Sequence, residues 1–131
     1  MQLRDNNPVI AYPNTWSFFG GEIDLGETPW QALQRELDEE ISWRPKQGEI
    51  LYEWVNLEYP CQVHFFSVIF NEVRSQLVLQ EGQQLGWFKL TLMKKTSNII
   101  PHVIQHIINH KKQKEKIENF RDPKSKKVIY L

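Results

Sequence analysis

Three glutamates, Glu36, Glu39 and Glu40, are spaced to share one side of a helix. At about 100° per residue they span an arc of roughly 100°. Their i,i+3 and i,i+4 steps make them surface neighbours, an arrangement that destabilises an isolated helix when the charges are alike. Such a cluster is tolerated when it is solvated, paired or neutralised by a cation. Hard divalent cations take oxygen ligands, and Mg²⁺ is commonly held by one or two carboxylates together with water and substrate phosphates. Arg35 precedes Glu39 by one turn and can hold it in a fixed rotamer. From Glu22 to Glu40 there are seven acidic side chains and Arg35 as the one base.

The helix that must carry these groups is legible. Thr28 is a good N-cap, Pro29 follows at the first helical position where its missing N–H costs nothing, and Gln31 completes a capping box. Trp30, Leu33, Leu37 and Ile41 recur within an arc of roughly 80° and form the core face. Upstream, Trp16–Phe19 reads as a short apolar strand leading into Gly20-Gly21. A double glycine takes positive φ freely and lets backbone approach a ligand closely.

Gly21, Glu27 and the run Arg35-Glu36-Leu37-Asp38-Glu39-Glu40 resemble the Nudix box, G-x5-E-x7-R-E-U-x-E-E-x-G-U, where U is a bulky apolar residue. Every charged position is filled. The pattern departs at its end, where Ser42 replaces the second glycine and Trp43 takes the last apolar position. The residue after a helix is commonly left-handed, so Ser42 either costs about 1 kcal/mol of strain or ends the helix differently. The resemblance is to the Nudix (MutT-like) hydrolases, and it implies an α/β (α+β) Nudix fold, a mixed β-sheet sandwiched between helices. It also implies that the Gly21 carbonyl, Glu36, Glu39 and Glu40 ligate Mg²⁺ or Mn²⁺. A glutamate ahead of a Trp-Phe strand often reaches the metal site in this family, and Glu81 is the candidate here. Glu36 or Glu81 is the general base, a choice the sequence leaves open, with Arg35 and Glu39 completing the catalytic set.

The rest of the chain bounds this reading. Its 131 residues, 40% hydrophobic with 16 aromatics, suit a single domain over 1–131 with one core. No apolar run reaches transmembrane length, and the N-terminus lacks the apolar core of a signal peptide, so a cytoplasmic protein is expected. The single cysteine, Cys61, excludes an internal disulfide and a cysteine-based zinc site. Formal net charge is zero, but residues 111–127 hold eight Lys/Arg against three Asp/Glu, a net of +5, and the remaining residues a net of −5. The basic C-terminal tail, about 111–131, lacks interleaved aromatics apart from Phe120, which argues against dedicated nucleic-acid binding.

Met1–Arg4 reads as the end of a strand, shortened relative to the fold that the resemblance implies. The exposed edge this leaves suggests a homodimer, with Lys127–Leu131 as a β-prone segment to cover it. Glu49–Tyr59 and Cys61–Val73 read as strands joined by a turn at Tyr59-Pro60, and Leu85–Leu90 as a further strand. His64, between apolar residues, reads as a packed histidine. Pro101 to about Lys116 reads as an amphipathic helix, with His102, His106 and His110 on its polar side. Tyr12, Trp16, Trp43 and Trp54 are candidates for stacking on a base.

The activity implied is Mg²⁺-dependent hydrolysis of the diphosphate linkage in a nucleoside diphosphate joined to another moiety. The alternative is a nucleotide-binding or regulatory module of the same fold with weak or no turnover.

Overall fold

A computed structural model describes residues 1–57, 60–89, 93 and 95–118. Its element order is β1 (Gln2–Leu3), β2 (Trp16–Ser17), α1 (Pro29–Ile41), β3 (Gly48–Asn56), β4 (Cys61–Val68), β5 (Gln84–Leu85) and α2 (Pro101–Glu118), with a 3₁₀ turn at Arg74–Gln76. Helices and sheets are both present, the α+β content of the Nudix fold, and among the described residues the strands form two small antiparallel sheets and not one mixed sheet. Two compact units divide the chain. One takes Met1–Phe19 and the described residues from Leu79 onward; the other takes Gly20–Val78.

In the first unit, β1 lies between β2 and β5, antiparallel to both, with Gln2 opposite Ser17 on one side and Leu85 on the other. An isolated parallel bridge joins Trp16 to Ile99. Met93, Ile99, Ile100 and Val103 form the buried cluster, with Trp16, Phe18, Phe88, Ile104 and Ile107 packed around it. Val103 at 2% exposure fixes which side of α2 faces inward. His106 and His110, three and seven residues on, lie on that side and are buried. His106 and His110 are therefore on the inner stripe of the helix, not on its polar side as expected, while His102 is only partly buried. The Phe88 and Trp16 rings lie where a Cβ on Gly86 would stand. The assigned strand ends at Leu85, but Gly86 still exchanges hydrogen bonds with Met1, at 2.9 and 3.0 Å.

In the second unit, β3 and β4 form an antiparallel hairpin from Gly48↔Val68 to Asn56↔Cys61, irregular between Ile50 and Tyr52. Helix α1 buries Ala32, Leu37 and Ile41. Trp30 meets Phe66 with ring centroids 5.5 Å apart, and Trp43 meets Phe70 edge-on at 5.1 Å. Gln34 donates its side-chain N–H to the Pro45 carbonyl at 2.7 Å, tying the helix to the segment that follows it. The expected turn residue Tyr59, the strand end Leu90, the segment Lys127–Leu131 and the basic tail beyond residue 118 lie outside the described residues.

Candidate functional site

The glutamates owe their positions to the two ends of α1. At the N-terminus the Thr28 hydroxyl accepts from the Gln31 N–H at 3.2 Å, and the Gln31 side chain accepts from the Thr28 N–H at 2.8 Å. This is the capping box that the sequence predicts, with Pro29 at the first helical position. At the C-terminus Ser42 is left-handed, φ 52° and ψ 40°, and its N–H donates to the Asp38 carbonyl at 2.9 Å. The Trp43 N–H reaches back to Leu37 at 3.3 Å. The serine thus adopts the conformation that a glycine would take there, and the helix ends as the glycine pattern dictates.

Arg35 gathers the acids. Its Nε and Nη2 donate to the two oxygens of Glu27 at 2.9 and 3.0 Å, a fork-to-fork pair. Nη1 donates to Glu36 at 2.7 Å and to Glu39 at 3.2 Å, and Nη2 also donates to the Glu22 carbonyl at 2.9 Å. One guanidinium therefore fixes the loop before the helix and two of the three candidate carboxylates. The Arg35 hydrogen bond, with a further one from the Asp24 N–H, holds the Glu27 carboxyl below its usual range. Bonding to Glu27 and Glu36 raises Arg35 further above its already high value. Spacing alone pairs Arg35 with Glu39, one turn on, and gives Glu27 only a place in the pattern. The stronger partner lies eight residues back, across the loop.

The glycines hold the other acids. Gly20 has φ 128° and its N–H donates to Glu40 at 3.1 Å. Glu40 is 5% exposed, an ionisable group buried in the second unit, where burial is costly unless it is paired. A Cβ on Gly21 would run into the Glu36 carboxylate, so Gly21 is the space in which Glu36 lies. Glu81 is exposed in the bend before β5, in the first unit.

The donor set can be tested against a metal. Among the described residues no group of three or more His, Cys, Asp or Glu side chains converges as a cage. Two carboxylates, Glu36 and Glu39, do meet at one nitrogen of Arg35. All the candidate ligands are hard oxygens. The set fits a cation of the Mg²⁺ type, which takes one or two carboxylates and completes its shell with water and phosphate, and does not fit a closed protein cage.

The aromatic candidates separate. Trp43 is buried on Phe70, and Trp16 packs on Phe88 with centroids 4.9 Å apart, so both serve packing. Tyr12 keeps 47% exposure at φ 53°, edge-on to His102. His64 is packed as expected, with Nδ1 2.9 Å from the Glu53 carboxylate.

A family model for the NUDIX domain matches residues 5–107. The chain is 42% identical over 77 residues to an 8-oxo-dGTP diphosphatase of Haemophilus influenzae, covering 58% of the chain and 56% of that protein. It is 35% identical over 88 residues to RNA pyrophosphohydrolases of Francisella tularensis subsp. mediasiatica and Francisella philomiragia, covering 65% of the chain and 51% of each. The chain thus spans about half the length of the curated relatives it matches.

Proposed function

The chain belongs to the Nudix family, and from that membership we propose that it is a nucleotide pyrophosphohydrolase, cleaving the diphosphate linkage of a nucleoside diphosphate joined to another moiety. The observation that carries this reading is the Arg35 hub, which brings Glu36 and Glu39 to one nitrogen beside Gly21. The names of the relatives, a diphosphatase and RNA pyrophosphohydrolases, support the bond class.

In this reading Glu36, Glu39, Glu40 and the Gly21 carbonyl hold Mg²⁺ or Mn²⁺. When bound, such an ion neutralises phosphate charge and lowers the pKa of water. The protein's own groups have separate tasks. Arg35 keeps the Glu36 and Glu39 carboxylates oriented. Gly20 fixes Glu40, and Gly21 leaves room for Glu36. Glu36 or Glu81 takes the proton of the attacking water. Both compact units belong to one functional domain, a reading supported by a family match that runs through both. No helix among the described residues is long and apolar enough to cross a membrane. A cytoplasmic homodimer acting on nucleotide-type substrates, with no dedicated nucleic-acid site, completes the proposal.

The test is release of phosphate-bearing products from nucleoside triphosphates, sugar nucleotides and dinucleoside polyphosphates, with Mg²⁺, with Mn²⁺ and with chelator. Metal-dependent turnover of one class supports the enzyme. One observation favours the second reading, a nucleotide-binding module without turnover: Glu40 is turned onto Gly20 and no three acids converge among the described residues. Tight nucleotide binding with no product from any of the three classes would establish it.

A further inference from the structure

The bend that carries Glu81 is fixed from its far side. Gly82 takes φ 81°, and a Cβ there would stand 2.7 Å from the Leu3 carbonyl oxygen, so glycine lets the bend lie directly on β1. The Gln83 N–H donates to that same carbonyl at 2.8 Å, and Gln84 then pairs with Leu3 in β5. The Gln83 side chain reaches past the end of β1. Its Nε2 donates to the Arg4 carbonyl at 2.7 Å and to Asn14 Oδ1 at 3.1 Å. Both partners are oxygens, so the nitrogen end of the amide must face them, and both of its hydrogens are used.

Asn14 is itself held. It is left-handed, φ 54°, and its N–H donates to the Asp5 carbonyl at 3.1 Å. The Arg4 N–H donates to the Thr15 carbonyl at 2.9 Å, and Arg4 Nε to the Ala11 carbonyl at 3.0 Å. The loop between β1 and β2 is thus closed on itself, and one amide ties the Glu81 bend to it. Arg4 and Asn14 lie 79 and 69 residues from Gln83 along the chain. Both bonds are exposed, where water can replace them, so they add little stability. What they supply is orientation. Gly82 has no side chain with which to hold the bend, so Gln83 is the first side chain after Glu81 that can.

We propose that Gln83 is a positioning residue for Glu81, its amide fixing the bend against Arg4 and Asn14 and thereby the direction from which the Glu81 carboxylate acts. The inference rests on the hydrolase reading, with Glu81 in the catalytic set, and deepens it.

The test is steady-state kinetics of the full chain with Mg²⁺, on whichever of the three substrate classes it turns over. Glu81→Gln should lower kcat at least about a hundredfold, the scale of a lost acid–base group. Gln83→Ala and Gln83→Glu both lack the donors, and Gln83→Glu keeps the length. Each should lower kcat about tenfold through misplacement, with KM and melting temperature close to wild type. The double variant Glu81→Gln/Gln83→Ala should be no slower than Glu81→Gln alone, because a residue that acts through another adds nothing once the other is gone. With chelator and no substrate, amide exchange at Gln83 and Asn14 should quicken in Gln83→Ala and stay as in wild type along α1. Wild-type kcat in Gln83→Glu, wild-type kcat in Glu81→Gln, a double variant about tenfold slower than Glu81→Gln, or unchanged exchange at both amides would each overturn the proposal and leave the hydrolase standing. Absence of turnover in the wild type would instead end the hydrolase reading, and this inference with it.

Discussion

Arg35 and Glu27 face each other across the loop that precedes α1, joined by two parallel hydrogen bonds of 2.9 and 3.0 Å. The pair depends on the planar fork, not on charge alone. Arg35→Lys keeps the charge and loses the fork, so Glu27, Glu36 and Glu39 are no longer held together. Turnover should fall on the order of a hundredfold, as misplacement of catalytic groups by about 1 Å can cause, and the melting temperature should drop. Steady-state kinetics and thermal unfolding of this variant measure both; wild-type turnover would remove Arg35 from the site.

Gly21→Ala separates activity from stability. Gly21 is not among the positive-φ residues, so alanine meets no backbone penalty there. Its methyl group instead displaces the Glu36 carboxylate, the far end of a flexible side chain. Stability should stay within about 0.5 kcal/mol of wild type, as for surface changes, while kcat falls. Equal losses of both would mean that Gly21 serves the turn alone.

Glu40→Gln keeps an oxygen for the Gly20 N–H and removes a buried charge. The metal-free protein should unfold at a higher temperature than wild type. Activity should fall about a hundredfold, the scale of several kcal/mol of lost charge stabilisation. Wild type should gain about 2.7 kcal/mol at a hundred times the metal dissociation constant, and the variant clearly less. Calorimetry with chelator and with Mg²⁺ checks this; a full metal shift in Glu40→Gln would exclude Glu40 as a ligand.

Ser42→Gly should stabilise. The left-handed conformation costs about 1 kcal/mol or slightly more for a residue with a Cβ. Glycine removes that cost and adds about 0.4–1 kcal/mol of unfolded-state entropy. The net gain is about 0.5 kcal/mol, a rise of roughly 1–2 °C in melting temperature for a chain of this length. A lower melting temperature would show that the serine side chain makes a compensating bond.

His106 makes stability depend on acid. Burial, with His102 beside it as a smaller cause, lowers its pKa from 6.5 to about 4. Between those values the unfolded chain binds the proton and the folded one does not, so stability rises with pH. It is fully present above 6.5 and is lost as pH falls towards 4. Urea unfolding at pH 7.5 and pH 5 should show this loss in wild type and a smaller one in His106→Leu. Identical pH dependence would place the sensitivity elsewhere.

What the sequence revealed was local. The capping box, the helix limits and the left-handed exit depend on contacts within a few residues, and each could be read from Thr28, Pro29, Gln31 and Ser42. The fork between Arg35 and Glu27 needs the loop to fold back, and spacing alone made Glu39 look the better partner. Histidine is equally at home on either face of a helix, so only Val103 and the cluster around it decide that His106 and His110 turn inward. Why a glycine stands at position 86 is plain only once the two rings that would meet its Cβ are known. The Glu53–His64 pair comes from strand register, which nothing in the local pattern of β3 or β4 specifies.

The bond from Gly20 to Glu40 spans 20 residues, and that from Arg35 to Glu22 spans 13. The sheet of the first unit, by contrast, must bring Gln2 to Leu85. Closing a short loop costs less entropy than closing a long one, and local contacts form early. The acidic segment can therefore assemble once the β3–β4 hairpin supplies Phe66 as the packing partner of Trp30, before β5 has been synthesised. Folding order would then run from the candidate site to the sheet of the first unit, with the acidic segment and its hairpin among the first parts of the chain to take shape.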